Sequence, residues 1–487
     1  MIKIFLPLIL LFLSINIYSQ ELLFQKEVNL KSILKDKRES LPIVNTEKNE
    51  TLLFLLDKSK ILGLRFNLDY ELIDDYSADK PINRFDVLLG HSVNSKGYHL
   101  FFTNKKKDEF FCKTIDISNK NGYGKEISLK LKGERFLESI SYNQKFYLVT
   151  IEKKSSILNV YVLEGDAISN SHKFDFSAHK FSNFGLYEVF LDKDKSFDFD
   201  LEIQKIDNSN PNSLDLTSKR NKIYFYNNKI YLTVDNSLSN TKVISISLDD
   251  FSSQVTFYDH PTIDCGEAYL IRSNSFLLGG HLYQIKGCRN ELSFHVTDLS
   301  TNVILKAYSV KHDEAITFSN TPLIQEKGNQ EKEMELNNTR QLLRKISTSD
   351  IGIVARLSQD KIELIIGGIK DVQQGGGGGL VTSSGSTIST PFGKVTTPST
   401  NNYNSTMYGY SNYANTRSVY FKSQFDKVNF NHVSGNVADN AYDKIAKYVA
   451  NNNEGVTSET IFKVDDYYVF GYYGKWNKVY HLMKFED

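Results

Sequence analysis

The feature that most constrains this chain is a degenerate repeat. From about residue 51 onward, short runs rich in Ile, Leu, Val, Phe, Tyr and Thr are separated by Asn, Asp, Ser, Gly and Lys. Runs rich in β-branched and aromatic residues, bounded by turn formers, read as strands. Several resemble one another, each behind a polar turn-like pair: Lys96 to Phe102, Gln144 to Thr150, Asn228 to Val234 and Asp360 to Ile366. A second run follows after another turn, as at Phe110 to Ser118, Leu158 to Leu163 and Lys242 to Leu248. A third often comes next, as at Gly124 to Leu129 or Val255 to Tyr258. Meanders of three or four strands recurring at roughly 40 to 50 residues have the period of propeller blades.

Unit centres fall near residues 60, 100, 148, 232, 283, 364 and 469, a count of seven. In the last unit, Glu459 to Val464, Tyr467 to Tyr473 and Val479 to Phe485 supply three strands, and Glu21 to Val28 can supply the fourth. That join ties both ends of the chain into one blade and removes an exposed edge. The expected fold is therefore all-β: a seven-bladed β-propeller closed by N- and C-terminal strands, with a short helix and a disordered insertion, forming one domain over residues 21–487. The alternative is tandem β-sandwiches, against which stands the absence of a clear boundary linker.

Three segments break the rhythm. Residues 321–346 contain Gln330 to Leu336 and Gln341 to Lys345, and read as a charged loop with a short helix outside the blades. Residues 372–417 open with five glycines, Gly375 to Gly379, and continue in Ser, Thr, Asn and Tyr with almost no aliphatic side chains. Such a composition lacks the apolar surface to order itself and reads as a flexible insertion. Asp439 to Asn451 has helical spacing, with Ala441, Ile445, Tyr448 and Val449 on one face and Asp439 as cap.

The first twenty residues set the expected compartment. Lys3 precedes an almost unbroken apolar run, Ile4 to Leu13, and Ile17 to Gln20 ends among the small residues a signal peptidase needs. The run is short of the roughly 20 apolar residues that span a bilayer. It reads as a signal peptide covering 1–20, giving an exported chain: periplasmic, outer-membrane-associated or extracellular, with no transmembrane helix after cleavage. A transmembrane β-barrel is disfavoured because the strand-like runs are short and carry Lys, Asp or Glu at close intervals. Export permits a disulfide, and Cys265 and Cys288 flank two strand-like stretches and can close a loop. Cys112, in Phe110-Phe111-Cys112-Lys113-Thr114, reads as a buried small residue.

Chemistry is sparse. With 58 basic and 58 acidic side chains and a net charge of zero, the chain has no electrostatic footprint for nucleic acid. Asp192 to Glu202 alternates carboxylates but has Phe197 and Ile203 where a calcium loop needs Gly and Glu, so it reads as a solvated acidic face. Asp259, His260, Asp264 and Glu267 crowd one turn-rich connection, where a His beside carboxylates can act as base or ligand, though Asp-His-Pro is also a good turn. Tyr403, Tyr408, Tyr410 and Tyr413 in the insertion form an exposed tyrosine set suited to adaptable contacts, weighed against a neutral surface insertion. No catalytic constellation, P-loop or dinucleotide fingerprint occurs, and no metal or cofactor is expected. Gly279-Gly280 and Gly367-Gly368 resemble the paired glycines of kelch blades, without that family's spaced Tyr and Trp.

The expected function is an exported non-catalytic propeller that binds or assembles with an envelope protein or glycan. Two alternatives are an extracytoplasmic polysaccharide hydrolase or lyase, and an envelope scaffold or adhesin that uses the insertion.

Overall fold

The computed structural model describes residues 20–30, 38–82, 84–182, 185–191, 201–266, 270–326, 333–358, 360–370, 387–390, 393–396, 404–414, 418–452 and 455–487. The signal-peptide reading up to residue 19, Asp192 to Asp200, Gly375 to Gly379, Glu267 and Tyr403 lie outside them.

Seven antiparallel meanders follow one another along the chain, and each expected unit centre falls in one of them, in order. Sheet 1 is Glu39–Asn45, Glu50–Leu56, Lys60–Phe66 and Leu72–Asp79; sheet 2 is Val87–Asn94, Gly97–Thr103, Glu109–Asp116 and Asn121–Lys130. Sheet 3 is Glu134–Tyr142, Lys145–Glu152, Ile157–Glu164 and Ala167–Asp175. Sheet 4 is Asn221–Tyr226, Lys229–Val234, Asn240–Ser247 and Ser253–Asp259, with Gln204–Ile206 added in parallel on its leading strand. Sheet 5 is Arg272–Leu278, His281–Gly287, Glu291–Asp298 and Ile304–Lys311. Sheet 6 is Asp350–Ser358, Lys361–Ile369 and Ser418–Asp426, extended by Leu323–Gln325 and Met334–Leu336. Sheet 7 is Val456–Val464, Tyr467–Gly474 and Val479–Glu486, completed by Gln20–Glu27 paired on the last strand. The expected junction of the chain ends is present, and the architecture is that of a seven-bladed β-propeller.

The second strand of sheet 1 shows what holds such sheets together. Leu52 to Leu56 are all fully buried, an unbroken apolar run rather than an alternating one. Successive strand side chains point to opposite faces. Leu52, Phe54 and Leu56 pack with sheet 2, whereas Leu53 and Leu55 pack with Val469, Tyr473 and Leu482 of sheet 7. The same split recurs farther on: Leu100 and Phe102 face sheet 1, while Phe101 stacks on Phe146 of sheet 3 at 4.2 Å between ring centres. Each sheet thus buries both faces, one against each neighbour. Burial of each such side chain contributes about 1.5–3 kcal/mol.

Five helices interrupt the strands: α1 (Leu186–Phe190), α2 (Leu214–Ser218), α3 (Thr339–Ile346), α4 (Ser405–Ala414) and α5 (Ala441–Asn451). The charged segment 321–346 does not lie outside the blades. Its short strands extend sheet 6, and α3 puts Leu342, Leu343 and Ile346, all fully buried, into the core shared by sheets 4 to 6. Those three residues form one apolar stripe, which must be covered. Helix α5 is where the spacing placed it, but its cap is Asn440, in a reciprocal capping box with Asp443, and Asp439 pairs with Lys447 instead. The two glycine pairs differ in use. Gly279 and Gly280 form a turn at positive φ, whereas Gly367 and Gly368 lie inside a strand.

Because Leu53 is buried between sheets 1 and 7, Leu53→Ala is expected to lower unfolding free energy in urea by about 2–5 kcal/mol, the usual cost of a core cavity. Leu22→Ala, at a side chain 47% exposed, is expected to change it by less than about 0.5 kcal/mol. Equal losses at the two positions would contradict the packing described.

Candidate functional site

The leading strands of neighbouring sheets meet one another, as Glu39–Asn45 meets Val456–Val464 and Arg272–Leu278 meets Asp350–Ser358, so they lie on the inside of the arrangement. Between sheets 3 and 4 the chain leaves its meander and crosses this inside. Lys205 Nζ donates to Ser139 O of sheet 3 at 2.5 Å, and Gln204–Ile206 pairs with sheet 4. Helix α2, capped by the Ser213 hydroxyl, follows. Asn274 of sheet 5 donates through Nδ2 to Ser218 O at 2.7 Å and to Ile351 O of sheet 6 at 2.9 Å. A Cβ on Gly352 of sheet 6 would lie 2.8 Å from Leu214 Cδ1, so only glycine admits the helix this closely. Tyr468 of sheet 7 donates to Ser209 O at 3.1 Å. Residues 204–218 therefore form a strap tied to five of the seven sheets.

The insertion adds to this strap. Helix α4, formed from the Ser- and Tyr-rich tract, packs on the strap, on α5 and on the leading strand of sheet 7. Asn210 Nδ2 donates to Thr406 Oγ1 (3.1 Å), Tyr442 OH to Thr406 O (2.9 Å) and Asn404 Nδ2 to Thr460 Oγ1 (2.6 Å). Tyr410 is buried edge-on to Tyr442, and Tyr413 OH donates to Asp443 at 2.5 Å. The expectation of exposed tyrosines is corrected here: Tyr408, Tyr410 and Tyr413 lie on one ordered helix, and the latter two point inward. Tyrosine supplies large apolar area with one polar handle, and α5 and sheet 7 offer both partners. The cavity left between the strap, sheet 6 and α5, lined by Asn212, Arg356, Glu363, Tyr413 and Asn440, measures about 20 Å³, room for a single water.

On the leading strand of sheet 7 the ladder slips by one residue between Thr457 and Thr460, and Ser458 sits at φ 51°, a left-handed conformation rare for serine. The bulge is held from sheet 1: Ser40 Oγ donates to Ser458 O at 2.9 Å and lies 2.9 Å from Ser458 Oγ, while Tyr480 OH donates to Ser40 Oγ at 3.2 Å. A bulge re-aims the side chain it carries. Here that side chain is Glu459, enclosed by protein yet still touched by solvent. Its carboxyl has no hydrogen-bond or ion-pair partner among the described residues. Burial pushes it up to about 7. Leading strands of sheets 2 and 3 also bulge, at Leu89 and Leu137. Beside those bulges, His91 is pushed down to about 4 by burial, and Glu138 accepts from Ser139 N and faces Lys205 at 3.7 Å.

The connection after sheet 4 behaves otherwise than its composition suggests. Asp259 and Asp264 are exposed, whereas His260 is buried and turned inward, its Nε2 2.9 Å from Thr241 Oγ1 and 3.7 Å from Asp235. The structure does not bring them together, and Glu267 is outside the described residues. His260 belongs to a buried network invisible in sequence. Asp235 receives Thr241 Oγ1 (2.7 Å), Ser275 N and Oγ (3.1 and 2.8 Å) and Lys222 Nζ (3.2 Å); Lys222 also donates to Asn274 Oδ1 at 2.6 Å. Burial opposes charge on Asp235, but Lys222 and the hydrogen bonds outweigh it and hold the carboxyl well below the usual range. The network pins sheet 4 to sheet 5. The connection is also tied covalently, Cys265 to Cys288, with Cα atoms 6.1 Å apart. Cys112 is buried 3.9 Å from His99 Nδ1. Burial pushes the thiol up to about 12 and His99 down, so both stay neutral, the reverse of an activated thiolate–imidazolium pair.

Among the described residues no group of three or more His, Cys, Asp or Glu is placed to hold a metal ion, and no helix is long and apolar enough to cross a membrane. No known protein family and no curated protein matches the chain. Among solved structures, the WD40 domain of SCAP from fission yeast is 11% identical at a TM-score of 0.31, over 92% of this chain and 84% of that one. The neuraminidase-like N10 protein of a bat influenza A virus is 9% identical at 0.26, over 72% and 95%. A cobalt-substituted Synechocystis apocarotenoid oxygenase is 7% identical at 0.28, the alignment covering 57% of this chain and 61% of that one. At such scores the likenesses carry no argument about mechanism or ligand.

Two outcomes follow from these buried charges. Asp235→Asn strands Lys222 in the core and is expected to cost about 3–5 kcal/mol in chemical denaturation; a loss under 1 kcal/mol would mean the network is solvated. For Glu459 the unfolded carboxyl titrates near 4.5 and the folded one near 7. The folded state thus holds the proton more tightly, and the stability this lends is full below pH 4.5 and lost as pH rises through 7. Glu459→Gln is expected to be neutral at pH 4.5 and to stabilise by about 3 kcal/mol at pH 8. A pH-independent difference between the two proteins would refute the assignment.

Proposed function

We propose that this chain is an exported, non-catalytic propeller that docks on another envelope protein. The observation that carries the reading is an apolar ledge crossing three successive sheets. Phe257 on the outer strand of sheet 4, Val303, Ile304 and Leu305 at the start of the outer strand of sheet 5, and Val428 beyond the third strand of sheet 6 are 40%, 54%, 54%, 42% and 78% exposed. Hydrogen bonds bind the ledge together: Asn302 Nδ2 to Phe257 O, Lys306 Nζ to Asn431 Oδ1 at 2.6 Å, and Tyr308 OH to Phe430 O at 2.8 Å. Monomeric proteins rarely expose contiguous apolar patches, and those that persist mark interaction sites. An aliphatic ledge favours a protein partner over a glycan, which is gripped by aromatic faces and hydrogen bonds. Export is supported by the apolar leader and by the Cys265–Cys288 bond, since disulfides persist in oxidising compartments.

The test is cross-linking and affinity capture of the tagged chain from native envelope fractions, beside the double variant Ile304→Asp, Val428→Asp. One reproducible envelope protein, captured by the wild type and lost from the variant at unchanged melting temperature, is the expected result. Equal capture by both proteins would remove the ledge from the interface, and turnover of an envelope polysaccharide by the purified chain would overturn the non-catalytic reading.

A further inference from the structure

We propose that the hollow around Glu459 is a recognition site for one organic cation bearing N–H donors, an alkylammonium or guanidinium group. Three features of the geometry carry this, and none of them depends on the ledge.

The first is the carboxyl itself. Buried polar groups are ordinarily hydrogen-bonded, and buried acids paired. Every other donor near the bulge is already committed: Arg38 Nη1 to Thr457 Oγ1 at 3.3 Å with its guanidinium over the Tyr473 ring, Asn404 Nδ2 to Thr460 Oγ1, Ser40 Oγ to Ser458 O and Tyr480 OH to Ser40 Oγ. Glu459 alone is left with four acceptor sites and no donor facing it. The second feature is that this placement is built. Ser458 is held at a positive φ by contacts from a different sheet, and Gly471 beneath it has no room for a side chain: a Cβ there would lie 2.8 Å from both Thr460 Cγ2 and Tyr480 OH. Strain of this kind persists only where surroundings enforce it, and it gathers at binding sites.

The third feature selects the ligand. Calcium or magnesium demands about six oxygen ligands, and the hollow offers one carboxylate. It offers instead two phenol rings: Tyr410 from α4 and Tyr480 from sheet 7 are the titratable groups close enough to feel the Glu459 charge. A carboxylate beside aromatic rings suits a monovalent organic cation, which gains a charge-assisted hydrogen bond from one and a cation–π contact from the other. Entry of the cation displaces the proton that burial holds on Glu459, so affinity rises with pH. Because Tyr410 is carried by the insertion, this also gives α4 a role: it closes one wall of the hollow.

The experiment uses the full chain with methylguanidinium and n-butylammonium chlorides, and with tetramethylammonium and sodium chlorides at matched ionic strength, read by thermal unfolding and by carbon-13 NMR of the Glu459 carboxyl. The expected result is a saturable rise in melting temperature at pH 8 with the N–H cations, at least tenfold weaker at pH 5.5, a downfield carboxyl titration moved to lower pH, and no saturable response in Glu459→Gln. Tyr410→Phe keeps the ring and is expected to bind. An equal response in Glu459→Gln, equal affinity at both pH values, or saturation by tetramethylammonium alone would overturn the proposal, as would no response to any cation. A short Gly-Gly-Arg-Gly-Gly peptide separates the sources of the group: tighter binding than methylguanidinium identifies a partner's side chain, weaker binding a free small cation.

Discussion

Everything in this molecule depends on strands that are apolar on both faces. A sheet with one buried face can be finished by solvent on the other, but Leu52 to Leu56, Leu100 to Phe102 and Phe146 to Ile151 leave no polar side to expose. Such a strand is stable only between two neighbours. A linear stack would leave its first and last sheets each with an apolar face uncovered. Here sheet 7 is built partly from the N-terminal strand and lies against sheet 1, with Leu53 and Leu55 packed on Val469 and Leu482, so both terminal sheets are covered by the same contact. The backbone pairing of Gln20–Glu27 with Val479–Glu486 then fixes sheet 7 to the start of the chain, and Lys26 to Asp75 at 2.6 Å adds a rim ion pair of minor energetic weight.

Packing of this kind makes a rigid frame whose interior must be dealt with separately. The chain does so with its own irregular segments. The strap 204–218 satisfies its backbone on five sheets, and α4 and α5 cover what remains beside sheet 7. The buried tyrosines Tyr410, Tyr413, Tyr442 and Tyr468 are well chosen for that task, since each fills a wide gap and places a hydroxyl where a carbonyl or carboxylate awaits it. The same arrangement leaves Glu459 in an enclosed hollow rather than in open water, which is why its proton is hard to remove.

The period-two pattern was legible because it is local: the seven unit centres, the terminal join and α5 all follow from short runs of sequence and the turns between them. The disulfide partners were legible from spacing. What could not be read depends on contacts between distant segments. Tyr410 and Tyr413 sit in a tract whose composition argues for exposure, and only Pro211, Tyr442 and Phe470, far away in sequence, bury them. His260 looked like part of an acidic loop because Asp259 and Asp264 flank it, yet a strand end reverses the direction of successive side chains and turns the histidine to Asp235. The charged run before α3 masked Leu342, Leu343 and Ile346, three residues whose stripe is too short to stand out from the Glu and Lys around it. A bulge leaves no signature at all, since Ser458 and Glu459 read like any other polar pair in a strand.

The distribution of strain and charge separates the parts of the molecule that hold it together from those that can act. Lys222 and Asp235 are both fully buried, but each is met by several partners, so the pair is a fixed element of the frame; changing its ionisation would cost the fold. Cys112 and His99 are buried and neutral, and stay inert for the same reason. Glu459 is the contrasting case: it is enclosed without being satisfied, on a backbone held out of its preferred conformation by another sheet. A folded chain tolerates one such group only if the surrounding frame is stable enough to carry it, and seven mutually covered sheets supply that stability. The rigidity that the double-faced strands impose is therefore also what allows an unpaired carboxyl to be kept in a defined place.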